Sequence, residues 1–567
     1  MGRPMFGVES EYAIAGIRGA EPMRREDLVN RIMRAARRQL AHLPDTCAHS
    51  GIFLANGARF YIDCGLHPEM TTPECVTPFE AARYIKAGER ILENLTCEVQ
   101  AETGAGTEIM CFRCNVDYSG SYSTWGAHES YRHDADPASL PEQLVPHLVT
   151  RVVYTGAGGF NPLVSWPEFC VAPRLMHIQQ TVSGDSTGNR GIFHTKNESL
   201  SGDGHHRLHI ICGESLCSET AIVLKIGTTA LVVAMAEEGL KPGAGLRLAA
   251  PLEALHAVAS DIACKQKLRL VAGGEATAIE IQQRLLEMAE RNRGVLPPWT
   301  GAICALWRRT LYQLESGPDS AGTVLDWAIK RHLFHDRAAR RGIPMERFAF
   351  HNSIVQRLNA ALASVGVNNR EVRLSVITGP QSPIPEESAL AANLLAAEGL
   401  TWDDVELFLS LRDEFYQIDT RFGQIGPRGI FTALDRRGVL DHRVAAIDDV
   451  AAAMREPPSV GRAKLRGEAV RRLSGQSGAG CGWMGVYSPD GRTLDLSDPF
   501  ATAEAWAAPP APADEGDATP DMPAEDLFGG DPGRLDRMLD AIGIRGRHGR
   551  TRTGAQGAPE TTESPNR

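Results

Sequence analysis

Residues 56–75, NGARFYIDCGLHPEMTTPEC, alternate between polar and apolar positions. In an extended chain, successive side chains point to opposite faces. Arg59, Tyr61 and Asp63 therefore share one face, and Ala58, Phe60 and Ile62 share the other. The Asn56-Gly57 pair after IFLA (residues 52–55) is the signal for a tight hairpin turn. The pattern predicts a sheet with one face on a core and the other set with ionisable groups. Residues 5–16, MFGVESEYAIAG, read as a further strand, with Glu9 and Glu11 on one face. Two more strands are expected at residues 107–117 and 206–215, and in the latter Arg207 and His209 share a face.

Between these segments the period lengthens to that of helices. Helices are expected at residues 25–43 (basic), 78–95, 218–239, 276–294 and 323–334. In the fourth, Ala278, Ile281, Leu285 and Met288 form one apolar stripe. An extra helical segment is expected near residues 340–405, with two helix starts after Pro and Thr signals. Antiparallel strands mixed with long helices make an α+β protein.

Composition narrows the classes. The chain has 567 residues, 43% of them hydrophobic, and a net charge of −11, which argues against a general nucleic-acid binder. No run of about 18 apolar residues is evident, so no membrane span is expected. The N-terminal residues lack a signal-peptide pattern, and Met5 stands where a myristoylation signal needs Ser or Thr. A cytoplasmic protein is expected. The 12 cysteines are expected to be reduced thiols, and the one C-x-x-C, Cys111 to Cys114, lacks the second pair of a structural zinc site. From residue 507 onward the chain is rich in Pro, Ala and acid and reads as a disordered tail, in which Leu535, Met538, Leu539 and Ile542 have helical spacing.

Glu9 and Glu11 would repel unless a proton or cation offset them. Magnesium suits such oxygen ligands and keeps substrate phosphates as further ligands. Glu69 offers a third carboxylate and His209 a further ligand, while Arg207 can face a phosphate. Together with Arg59, Tyr61 and Asp63 they suggest a metal–nucleotide cradle on strand faces. There is no G-x-x-x-x-G-K-[ST] phosphate loop and no Gly-x-Ser-x-Gly elbow.

FGVESEYAI, FLANGARFYIDCGLHPEMTTPEC, HRLHIICGESLCSETAIVLKIGTTALV, LDWAIKRHLF, GRAKLRGEAVRRL and DPF, in this order over residues 5–500, resemble the Pup ligase and Pup deamidase/depupylase family. The resemblance implies a glutamine-synthetase-like catalytic domain, residues 1–430, and a small C-terminal domain, residues 431–506. It implies an ATP- and Mg2+-dependent ligase that phosphorylates the side-chain carboxylate of a C-terminal Glu on a Pup-like modifier. A substrate lysine then attacks, and the tagged protein enters a proteasome pathway. It further implies magnesium on Glu9, Tyr61 and Glu69, ATP on Arg59, Thr72 and Trp483, and Asp63 as the catalytic aspartate. The alternatives are a depupylase or deamidase on the same fold, a weakened regulatory homologue, and a different small-molecule carboxylate–amine ligase. Two stretches depart from the family pattern: HTKNESL at residues 194–200, where NTRDEPH is usual, and STWGAHESY at residues 123–131.

Overall fold

In the computed structural model, the described residues are 4–46, 51–119, 123–164, 167–202, 204–364, 366 and 385–508. A seven-stranded sheet organises them, in the order His206–Ile210, Ala127–His133, Phe6–Glu11, Pro68–Thr71, Arg59–Ile62, Ile52–Leu54, His42–Pro44. Every pairing is antiparallel. The two-residue alternation sorts its faces: Phe6, Val8, Phe60 and Leu208 are buried in the core, and Glu9, Glu11, Arg59 and Tyr61 lie on the other face.

Three expected elements end or turn differently. The strand expected over 5–16 divides at Tyr12, which is buried, and Ala13–Arg18 leaves to pair with Thr107–Phe112 in a separate three-stranded sheet. The basic helix is Arg25–Gln39. Leu40 is already extended, and His42–Pro44 forms the edge strand, because Leu43 is needed under Phe53 rather than on a helix face. The hairpin closes through a three-residue loop: Gly57 N–H donates to the Leu54 carbonyl and Leu54 N–H to the Ala58 carbonyl. Gly57 has φ +80°, and a Cβ there would lie 3.0 Å from the Ala463 carbonyl oxygen. Glycine thus serves both the turn and a close crossing of the C-terminal helix.

Helices Pro78–Thr103 and Glu219–Glu237 pack behind the sheet. The second is, by length and composition, apolar enough to cross a membrane: its most apolar 18-residue window has a mean hydropathy of 1.6. The cause is burial, since 89% of its most apolar window is inside the protein. The segment near 340–405 contains Met345–Ser364 and Pro385–Ala397 and runs into Trp402–Phe422, which starts at a Thr401–Asp404 capping box. These helices bury their own cluster, including Phe348, Leu358, Phe408 and Phe415.

At the C-terminal end, helix Arg462–Leu473 and a four-stranded sheet ending in Trp506–Ala507 pack on Leu43 and Phe53 of the main sheet. The tail expected from residue 507, with the Leu535–Ile542 spacing, lies outside the described residues except for its first two positions.

Candidate active site

Strand register assembles the polar face. Pairing of Phe6–Glu11 with Pro68–Thr71 sets Glu11 opposite Glu69 and Glu9 opposite Thr71. Pairing of Arg59–Ile62 with Pro68–Thr71 sets Tyr61 opposite Glu69. On the other side Glu9 lies opposite His128, and His209 opposite Ser130. Side chains from strands separated by up to two hundred residues thus meet on one surface.

The carboxylates on this surface are closely spaced and their charges interact. Glu69 is 3% exposed, and burial together with the charges of Glu9 and Glu11 pushes its carboxyl well above the usual range. Burial and the charges of Glu9 and Glu69 raise the Tyr61 pKa far above the ordinary phenol value. Burial works against Glu9 as well, but His128, His209 and Arg207 outweigh it and hold that carboxylate far below its usual range. His209 is 6% exposed, and burial pushes it well below the ordinary imidazole value. A divalent cation would relieve the strain of three carboxylates around one phenol. The donor set of Glu9, Glu11, Tyr61 and Glu69 therefore fits magnesium.

Next to this group a cleft of about 690 Å³ opens, lined by Glu9, Thr72, Glu74, Arg132, Arg207 and Trp483 among others. The Thr72 hydroxyl accepts the Val8 N–H at 3.1 Å. The Trp483 ring is held edge-on to Phe53, with centroids 5.1 Å apart, and Arg466 lies 4.8 Å from its centroid. Arg59 stands apart from the cleft lining: its Nε and Nη2 donate to Asp45, each at 2.6 Å, and its guanidinium stacks 4.0 Å over Tyr61. Asp63 also lies beyond that lining, at the end of the Tyr61 strand. Its Oδ1 accepts the His67 N–H at 2.7 Å, and its Oδ2 lies 3.0 Å from His67 Nδ1. Burial alone would raise the Asp63 pKa, but the His67 contacts outweigh it and hold it below the usual value.

Of the departures, Lys196 lies at the surface and pairs with Glu198 at 3.1 Å. Such exposed pairs are worth little. Sequence reasoning passed over His128, between Glu9 and Glu11, and Glu74, which receives Arg462 and Arg466 from the C-terminal helix. The signal for His128 is the same period-two alternation: His128, Ser130 and Arg132 share the polar face of their strand.

A profile of the Pup-ligase protein family matches residues 4–356 and 388–487. The interruption falls in the added helical segment. A Pup–protein ligase of Nocardioides sp. is 33% identical over 358 residues, which are 61% of this chain and 76% of that one. A Pup–protein ligase of Nakamurella multipartita is 32% identical over 356 residues, with the same coverage. Among solved structures, the ligase PafA in complex with the prokaryotic ubiquitin-like protein Pup superposes with a TM-score of 0.65 at 24% identity, covering 88% of this chain and 90% of that one. PafA in complex with ADP superposes with a TM-score of 0.60 at 25% identity, covering 84% and 91%. The profile spans both the carboxylate-bearing sheet and the C-terminal helix that closes the cleft: the chain belongs to the Pup-ligase protein family.

Proposed function

We propose that this protein is an ATP-dependent ligase of the cytoplasm that joins the C-terminal Glu side chain of a Pup-like modifier to lysines of other proteins, feeding a proteasome pathway. The observation that carries the reading is the single face on which Glu9, Glu11, Tyr61 and Glu69 stand beside the Trp483 cleft, in a chain of this family. In this reading Arg59, Thr72, Arg207 and Trp483 hold the nucleotide, Arg59 also stacking on the Tyr61 ring. Glu9, Tyr61 and Glu69, with Glu11 and His209 near, would hold magnesium, which would offset charge on the phosphoryl group being transferred.

The modifier's carboxylate oxygen attacks the γ-phosphorus, and ADP leaves with the bridging oxygen. The resulting acyl phosphate is attacked by a neutral lysine amine, and inorganic phosphate departs as the isopeptide bond forms. A lysine with a reference pKa near 10.4 is protonated at neutral pH, so a base must take its proton. Asp63 fills that role. The His67 contacts keep it ionised and fix its plane, and each oxygen retains a lone pair.

The test supplies a modifier ending in Glu, ATP, magnesium and a lysine-bearing protein, and reads conjugates by mass spectrometry. A parallel tube supplies a preformed conjugate. Conjugation in the first and little cleavage in the second is expected. The opposite pattern would make the protein a depupylase, and neither reaction with the nucleotide still bound would make it a regulatory homologue. The stretch from Gly16 to Ile52 favours the ligase: apart from the undescribed residues 47–50, short strands and the helix Arg25–Gln39 occupy most of it, leaving little room for the long loop that the depupylases of this family carry.

A further inference from the structure

Trp125 lies in the stretch STWGAHESY, and its ring stands beside the turn from Asp63 to His67 rather than in the lining of the Trp483 cleft. The Trp125 and His67 ring centroids are 5.3 Å apart, with their planes tilted by 54°. That is the spacing of an attractive aromatic pair. Trp125 is 7% exposed, and its Nε1 is buried without a hydrogen-bond partner among the described residues. A position that only fills space is better served by Phe, since an unpaired buried N–H is destabilising. The indole is held by packing alone, and His67 is what it packs on.

The backbone that carries the indole is fastened on both sides. Trp125 N–H donates to the Asn115 carbonyl at 3.2 Å. The Asn115 side chain accepts the Ser215 N–H at 2.7 Å and donates to the Ser215 carbonyl at 3.1 Å. Before Trp125, the Thr124 hydroxyl accepts Arg190 Nη1 at 2.6 Å, and after it the Gly126 N–H donates to Glu11 Oε2 at 2.8 Å. The ring therefore cannot draw back from His67.

His67 needs such a neighbour. Its turn is closed by backbone bonds, Asp63 N–H to the His67 carbonyl and Leu66 N–H to the Asp63 carbonyl, each at 3.1 Å. Its side chain has one hydrogen bond among the described residues, from Nδ1 to Asp63 Oδ2 at 3.0 Å. The outer torsion of a histidine is broad, so one bond at one edge does not fix the ring. The indole against the imidazole removes that freedom, and the imidazole in turn fixes the plane of the Asp63 carboxylate.

We propose that Trp125 is a positioning residue for the amine-attack step: by packing on His67 it holds the Asp63 carboxylate in the orientation that accepts the lysine proton. The proposal rests on the reading of Asp63 as the base, and it names the residue that aims it. Trp125 touches neither the nucleotide nor the phosphoryl group, so it acts on the second step alone.

The test uses the full chain with a modifier ending in Glu, ATP, magnesium and a lysine-bearing protein. Trp125→Ala should lower kcat for conjugation by about 10- to 100-fold, the cost of a small misplacement. The KM for ATP and the ADP formed in the first turnover without a lysine acceptor should stay within about threefold of wild type. Trp125→Phe, which keeps a ring against His67, should recover most of the rate. Residues that act as a unit are not additive, so adding Trp125→Ala to Asp63→Asn should cost nothing further. Circular dichroism confirms folding, and if Trp125→Ala is misfolded, Trp125→Leu takes its place in each comparison. Turnover of the folded variant within about threefold of wild type overturns the proposal. So does a Phe variant as slow as the Ala variant, a parallel loss of first-step ADP, or a full additional loss in the Asp63→Asn background, which would mark a merely structural role. In each of these cases a slow Asp63→Asn leaves the base reading standing. An Asp63→Asn variant as fast as wild type removes that reading, and this proposal with it.

Discussion

Replacing Glu74 by Gln tests how the cleft is held shut. Glu74 Oε1 accepts Arg462 Nε and Arg466 Nη2, each at 2.6 Å, and Oε2 accepts Arg466 Nη1 at 2.9 Å. Arg462 is 4% exposed and Arg466 0%, so the amide would leave two buried cations without a counter-charge. Two routes give the magnitude. Burial opposes the Glu74 carboxylate, but Arg466 and Arg462 outweigh it and move its pKa from 4.5 to about 2. That change corresponds to about 3 kcal/mol at 1.36 kcal/mol per unit. Removing one partner of a buried ion pair typically costs about 3 to 5 kcal/mol, which agrees.

The folded pKa is depressed, so the stabilisation is complete above the unfolded value of 4.5 and is lost as the pH falls toward about 2. The expected result at neutral pH is a loss of about 3 kcal/mol in urea unfolding followed by circular dichroism. Trp483 fluorescence should change early in the transition, because Arg466 lies 4.8 Å from its ring. The gap between wild type and variant should shrink on acidification through that window. A loss below about 1 kcal/mol, the worth of an exposed pair, would refute the reasoning. So would a gap that does not depend on pH.

Asp63→Asn should leave ADP binding intact and slow conjugation by about 100- to 10,000-fold, and turnover within about threefold of wild type would remove Asp63 as the base. Glu9→Gln should weaken binding of ADP with magnesium in calorimetry, because an amide holds a divalent cation less well than a carboxylate; unchanged affinity would count against Glu9 as a ligand. Removing residues 509–567 should leave the thermal midpoint and conjugation of a small lysine substrate unchanged, since that composition buries little, and a drop in either would show that those residues act on the catalytic part.

Much of the sheet face was legible because strand alternation is a local property. Arg59, Tyr61 and Asp63 announce a shared surface within five residues, and so do Glu9 with Glu11 and Arg207 with His209. What alternation cannot give is register between distant strands. His128 becomes a candidate only once its strand is known to pair with the one carrying Glu9. The same limit applies to Arg59, whose attachment to Asp45 depends on a loop beside the edge strand. The helix end at Gln39 was overrun because His42–Pro44 keeps apolar residues in step with the helical period, and only the demand for an edge strand beside Ile52–Leu54 decides the matter.

The latch of Glu74 on Arg462 and Arg466 also orders events during synthesis. Arg466 is 392 positions beyond Glu74, and the His42 N–H is satisfied by the Ser474 hydroxyl, 432 positions away. Contacts of such separation form slowly, because a long loop must close before they yield any stabilisation. A growing chain can form its carboxylate-bearing strands early, yet the wall that carries Trp483 cannot join them until nearly the whole sequence has left the ribosome. In the proposed reading, nucleotide capture would therefore be withheld from incomplete chains, and a nascent or prematurely terminated copy would present the sheet's carboxylates without the cleft wall that carries Trp483.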